Sequence, residues 1–170
     1  MKKGFTLLEV VVVIVIITIL SLIGVNSVNT FRQEAVMDST VNEFVALLKT
    51  AKNKSMAGEI PEGRDTDKFS TDGLPIYGVE VKSGTYYLTR SYIYDGISVT
   101  ECQTPEGTWL NDCSTFLVVP SELSITPGVV VFSRISGTTT HNNFNIEKIS
   151  GGIGRNIEIL PDGMIKTTDI

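Results

Sequence analysis

From Phe5 to Val25 the chain runs for 21 residues with a single ionisable side chain, Glu9. At 1.5 Å per residue such a run makes a helix of about 30 Å, the thickness of the hydrocarbon core of a bilayer. It predicts a transmembrane helix over residues 5–25. Lys2 and Lys3 stand before it, and positive charge is retained on the cytoplasmic side, so everything after Val25 is expected outside. A secretory signal peptide would have a shorter apolar core closed by a small-residue cleavage site. Here the run is longer and continues into residues that still read as helix.

Beyond it, Met37, Val41, Phe44, Leu48 and Ala51 recur at steps of three and four, the apolar stripe of an amphipathic helix. Arg32, Gln33, Glu34, Asn42, Glu43, Lys49 and Lys52 fall on its other faces, and no proline occurs before Pro61. One helix over 5–57, about 80 Å long, is expected, lipid-exposed in its first half and packed on a domain in its second. After Gly58 the pattern changes to short β-prone runs divided by Gly, Pro, Asn and Asp. Strands are predicted at Leu74–Val81, Thr85–Tyr94, Ile97–Cys102, Thr115–Val119, Val129–Arg134, Asn143–Ile149, Asn156–Leu160 and Met164–Thr168. The turns "KSG" and "PDG" predict hairpins, and Glu59–Gly73 reads as an exposed acidic loop. The fold class is α+β: a long N-terminal α-helix, transmembrane in its first half, packed on a mostly antiparallel β-sheet over 58–170. Tyr86, Tyr87, Tyr92 and Tyr94 alternate along strands and read as core and cross-strand packing.

The net charge is −5; without the first 26 residues, 12 basic stand against 18 acidic residues, or −6. A remainder of that sign is a poor binder of polyanions. Cys102 and Cys113 enclose ten residues rich in Pro, Gly, Asn and Asp, a short loop suited to a disulfide in an oxidising compartment. That agrees with an extracytoplasmic domain. Two cysteines without a nearby histidine do not complete a tetrahedral zinc site.

An acid inside hydrocarbon costs about 2.5–3.5 kcal/mol on insertion scales, so it usually has a partner or a task. Charge placement alone leaves open that Glu9 merely snorkels to the interface. The residues "KKGFTLLEV", however, resemble the processing site of type IV prepilins and type II secretion pseudopilins. The resemblance implies a leader 1–4 cut after Gly4 by a membrane-embedded prepilin peptidase, N-methylation of the new first residue Phe5, and a filament core built from the apolar helix. It implies that Glu9 of an incoming subunit pairs with the amino group of Phe5 in a neighbour, a contact that sets register more than net stability. Cleavage matters because it turns the uncharged amide nitrogen of Phe5 into that amine. The helix-bending proline that many major pilins carry around the position of Asn26 is absent, which counts against the major-subunit reading.

The later stretches "VVVFSRISGTTTHNNFNIEK" and "NIEILPDGMIKT" are similar to the carboxy-terminal strands of GspH/FimT-type minor pseudopilins. The resemblance therefore implies a pilin-like fold and a minor pilin or pseudopilin of a pilus or type II secretion filament. Its partners would be other pilin subunits, the prepilin peptidase and the inner-membrane assembly platform. It would be a single-pass inner-membrane precursor with its N-terminus in the cytoplasm, and in its mature form part of an extracytoplasmic filament. The alternatives are a major pilin forming the shaft and a DNA-binding minor pilin for uptake.

Other chemistry has thin support. His141, the only histidine, lies in a polar turn-like stretch with no triad pattern around it, so no enzyme and no cofactor are expected. Asp65, Asp67 and Asp72 offer carboxylates for calcium, but Phe69 and Ile76 stand where an EF-hand needs ligands. "SGGIGRN" could present backbone amides and Arg155 to a phosphate; a lone arginine in an acidic domain argues against nucleic acid.

Overall fold

The computed structural model describes residues 6–69, 74–82, 84–104, 107–111, 118–134, 136–137, 139 and 142–170, without the side chains of residues 22–30, 66 and 142. The chain divides into two units, Met1–Asp38 and Ser39–Ile170. Helix α1, Leu7–Ala57, begins in the first and ends in the second.

Over residues 10–17 the helix of the first unit is apolar on every side. Val10 to Ile17 each advance about 100° around the axis, and each leaves about half of its surface exposed. The polar side chains in this stretch bond within the helix: Thr18 Oγ1 donates to the Ile14 carbonyl and Ser21 Oγ to that of Ile17, both at 2.8 Å. Among the described residues no helix is long and apolar enough to cross a membrane. The side chains described in this stretch, 6–21, amount to about 24 Å of helix, short of a bilayer core. Phe5 and the side chains of 22–25, which would complete the expected span 5–25, lie outside the described residues.

In the second unit the stripe reads as expected. Val41, Phe44, Leu48 and Ala51 are buried, and Ser55, the next position on that face, is buried too. The helix stops at Gly58, whose φ of 62° is costly for a residue with a Cβ. The Gly58 N–H donates to the Ser55 carbonyl at 3.2 Å and that of Glu59 to Lys54 at 3.3 Å, the paired bonds of a Schellman stop. Lys54 then reaches forward to both carboxylate oxygens of Glu59 at 2.6 and 2.7 Å.

Among the described residues nine strands follow: β1 Ile76–Lys82, β2 Thr85–Tyr94, β3 Ile97–Gln103, β4 Trp109–Leu110, β5 Leu123–Ile125, β6 Gly128–Phe132, β7 Asn142–Lys148, β8 Gly154–Ile159 and β9 Ile165–Asp169. They form two sheets rather than the one expected: a five-stranded sheet in the order β4-β3-β2-β1-β6 and a four-stranded sheet β5-β7-β8-β9, every pairing antiparallel. The chain passes from one sheet to the other between β4 and β5, between β5 and β6 and between β6 and β7; at the second of these Thr126 and Pro127 intervene. Proline has no N–H to give to a ladder, so the chain changes sheet there. The expected strand Thr115–Val119 is seen only as an isolated bridge between Val118 and Thr85, and 115–117 lie outside the described residues.

One ring joins the layers. Phe44 packs edge-on to Tyr86 of the first sheet at 5.3 Å and to Phe144 of the second at 5.2 Å. Val79 and Val130 of the first sheet and Ile146, Ile157 and Ile159 of the second are fully buried as well. Ser55 ties the same face by polar means: its hydroxyl donates to the Phe132 carbonyl at 2.6 Å and accepts the Tyr77 N–H at 3.0 Å. Tyr77 and Phe132 are the end pair of the β1–β6 ladder, so the helix is stitched to the sheet where its pairing stops. The segment after Gly58 is less exposed than its composition suggests. Pro61 is buried, and Phe69 bridges to Tyr94 and packs on the rings of Tyr92 and Tyr94 at 5.6 and 5.2 Å.

Candidate functional site

Of the residues singled out at the amino terminus, Gly4 and Phe5 lie outside the described residues and Glu9 lies inside them. Glu9 sits at the third position of α1, and Thr6 immediately precedes the helix. The two make a reciprocal cap. The Glu9 N–H donates to Thr6 Oγ1 at 3.3 Å, while Glu9 Oε2 accepts the Thr6 N–H at 3.4 Å and approaches the Thr6 hydroxyl at 3.5 Å. This is the geometry of a Thr-x-x-Glu capping box, which satisfies helix-end donors that have no intrahelical partner. The carboxylate therefore turns back over the first turn, where the aligned peptide dipoles favour negative charge. Charge placement does not point to Thr6; its spacing to Glu9, just ahead of an apolar run, is the signal that finds it.

The remaining candidates are scattered. Cys102 on β3 is fully buried beside Tyr87, with its sulfur 3.6 Å from the Leu110 carbonyl oxygen; Cys113 lies outside the described residues. Asp65 and Asp67 are exposed and Asp72 lies outside the described residues. Among the described residues no group of acidic, cysteine or histidine side chains is placed to hold a metal ion. His141 also lies outside them. Arg155 on β8 is engaged by Asp169 of β9 at 3.1 Å, which neutralises the one cation of the "SGGIGRN" stretch. Tyr86, Tyr87 and Tyr92 are buried and Tyr94 half-buried. Burial, with the Glu80 hydrogen bond adding to it, pushes the Tyr87 phenol up to about 12. The Tyr86 phenol is raised as well, by burial first and then by the charge of Glu43 and a hydrogen bond to it.

A charged cluster that the sequence did not announce lies at the end of the first sheet. Arg90 on β2 faces Glu101 across the β2–β3 ladder, and Arg90 Nε donates to Glu101 Oε2 at 2.6 Å with both side chains about nine-tenths buried. Arg64 approaches the other Glu101 oxygen at 3.6 Å and lies over the Tyr94 ring at 4.9 Å. The Arg90 guanidinium stacks on Trp109 at 4.0 Å, a contact worth more where water is excluded.

Residues 1–25 match the family model of the prokaryotic N-terminal methylation motif. This match supports a type IV pilin-like or pseudopilin subunit, a structural component that assembles with other pilins after processing by a prepilin peptidase. No curated protein and no solved structure matches the chain.

Proposed function

We propose that the chain is a membrane-anchored precursor cut between Gly4 and Phe5, methylated on the Phe5 nitrogen, and drawn into a filament through its apolar helix. The observation that carries this reading is the methylation motif over 1–25 at the head of a helix that is apolar on all sides over residues 10–17. Such a helix is unsuited to water and suited to lipid or to a bundle of its own kind. The bonds of Thr18 and Ser21 to their own helix fit either setting, since neither hydroxyl needs a water partner. Residues 5–25 would be the anchor, with the N-terminus in the cytoplasm and 58–170 outside the inner membrane. Cys102 would pair there with Cys113. Within the class we favour a minor pilin or pseudopilin of the GspH/FimT type, acting at a type IV pilus or a type II secretion filament. The missing proline near Asn26 and the hairpin at Gly163 support that choice.

Glu9 has two tasks in this scheme. Its carboxylate caps its own helix through Thr6, and in the filament it would meet the amine of a neighbour's Phe5. Glu9→Gln separates them, because glutamine serves in a capping box but carries no charge. The test of the whole reading is intact mass and amino-terminal sequencing of the protein from cells with and without the prepilin peptidase. A chain starting at N-methyl-Phe5 only when the peptidase is present is the expected result. Retention of Met1 to Gly4 in peptidase-positive cells refutes it.

A further inference from the structure

At the end of the five-stranded sheet, beside the last turn of α1, lies a cavity of about 440 Å³, within the range of about 300–1,000 Å³ that small-molecule sites occupy. Lys54 comes to it from the helix, Glu59, Ile60 and Glu62 from the segment after the helix, and Arg90, Gln103 and Trp109 from β2, β3 and β4.

Its chemistry is selective in two respects. First, the cations of the wall are already matched. Lys54 is held by Glu59 at 2.6 Å, and Arg90 is held by Glu101 at 2.6 Å in a nearly buried pair. An anionic ligand would have to take the cation of one pair and leave its carboxylate uncompensated, which costs heavily when the pair is buried. A neutral ligand need displace neither. Second, the wall offers donors, acceptors and an aromatic face together. The Glu59 and Glu62 carboxylates accept, Lys54 donates, and Gln103, whose Nε2 donates to the Gly107 carbonyl at 3.0 Å, keeps an amide oxygen as acceptor. Trp109 is held by the Arg90 guanidinium against its ring at 4.0 Å and by Tyr77 edge-on at 5.9 Å. Ile60 adds an apolar side chain. Ligands that both donate and accept at closely spaced positions, carry no charge and present an apolar C–H face are sugars. We propose that this cavity binds a neutral saccharide unit, its ring set against Trp109 and its hydroxyls bonded to Glu62, Gln103 and the Lys54–Glu59 pair.

Trp109 is the only tryptophan of the chain, so in the folded protein its emission reports on one position, in the wall of this cavity. The experiment is a fluorescence titration of the full chain, in a detergent without a sugar headgroup, with methyl glucoside, methyl galactoside, methyl mannoside and N-acetylglucosamine. Acetate and inorganic phosphate serve as ionic competitors. A saturable change with at least one of the neutral sugars is expected, weakened about tenfold in Glu62→Ala and in Gln103→Ala by loss of one charged or bidentate partner. Both positions are partly or fully exposed, and unchanged circular dichroism certifies that each variant is folded. Three results overturn the proposal: no saturable change with any sugar at tens of millimolar, tighter binding of acetate or phosphate than of every sugar, or sugar affinity unaltered in both variants. None of these depends on how the amino terminus is processed, so the proposal fails or stands apart from the filament reading.

Discussion

Ser55→Ala tests how the helix is fastened to the sheet. The hydroxyl bridges the Tyr77 N–H and the Phe132 carbonyl with bonds of 3.0 and 2.6 Å, and Ser55 is fully buried. Alanine fits the space, so no overpacking arises, but both backbone groups lose a partner where water does not reach. An unsatisfied buried group costs about 1–3 kcal/mol. The two groups belong to the end pair of one ladder and can recover part of the loss by closing on each other, so the expected loss is about 2–4 kcal/mol. At about 2–4 °C per kcal/mol for a chain of this size, the melting temperature falls by about 4–16 °C. The assay is urea and thermal unfolding of the full chain followed by Trp109 emission, with Thr50→Ala as the control. Thr50 makes a bond of the same kind to the Ala46 carbonyl at 2.8 Å, but on the exposed side of the same helix, and its loss is expected to cost under about 0.5 kcal/mol. If Ser55→Ala is no more destabilising than Thr50→Ala, the bridge does not hold the helix and the argument from unsatisfied backbone groups fails.

Glu101→Ala leaves the guanidinium of Arg90 buried and unpaired and is expected to cost about 3–5 kcal/mol in the same unfolding assay, whereas Arg64→Ala, at the exposed end of the cluster, costs under about 1 kcal/mol. Gly163→Ala places a Cβ on the Gly137 carbonyl and 3.0 Å from Lys52 Nζ at a φ of 73°; Gly63→Ala has a φ of 72° but open space. The first is expected to lower stability by about 2 kcal/mol or more, the second by about 1 kcal/mol. Stability should also fall at high pH. Tyr87 titrates near 12 in the folded chain and near 10 when unfolded, so its contribution is complete below pH 10 and is lost as pH rises toward 12. The expected slope is about 1.4 kcal/mol per pH unit for each such phenol, and Tyr87→Phe flattens the profile by one group. Thr6→Ala removes the side chain that caps the Glu9 amide at about 1 kcal/mol, so hydrogen exchange at Glu9 and Val10 speeds up about fivefold while exchange at Phe44 and Leu48 does not change.

The helix was legible because its signals are local. A stripe at steps of three and four, and a glycine at its end, name the buried face and the stop without reference to any other part of the chain. Strand β2 was read to the residue because its turns at Gly84 and Gly96 bracket ten β-prone residues, and "PDG" marked the last hairpin for the same reason. Strands β4 and β5 are two and three residues long, too short for alternation to register, and Trp109–Leu110 is flanked by a Pro- and Gly-containing stretch. Partnership was not legible at all. Alternation tells which residues share a face but not which sheet that face belongs to, so two sheets read as one. The Arg90–Glu101 pair depends on the same missing register, since eleven residues separate the two in sequence. Thr6 is a different case, for its capping pattern with Glu9 is local and stands in the sequence itself.

Phe44 also bears on the order in which the molecule is made. Its ring packs against Tyr86 and Phe144, and Phe144 follows it by 100 residues. A chain synthesised from its amino terminus has α1 complete long before either sheet exists. Val41, Phe44, Leu48 and Ala51 then wait as a bare apolar stripe until most of the polypeptide has emerged, and contacts of such long separation form slowly. During that interval the stripe is the part of the molecule most open to mispairing, so a newborn chain needs its helix face shielded until β7 arrives.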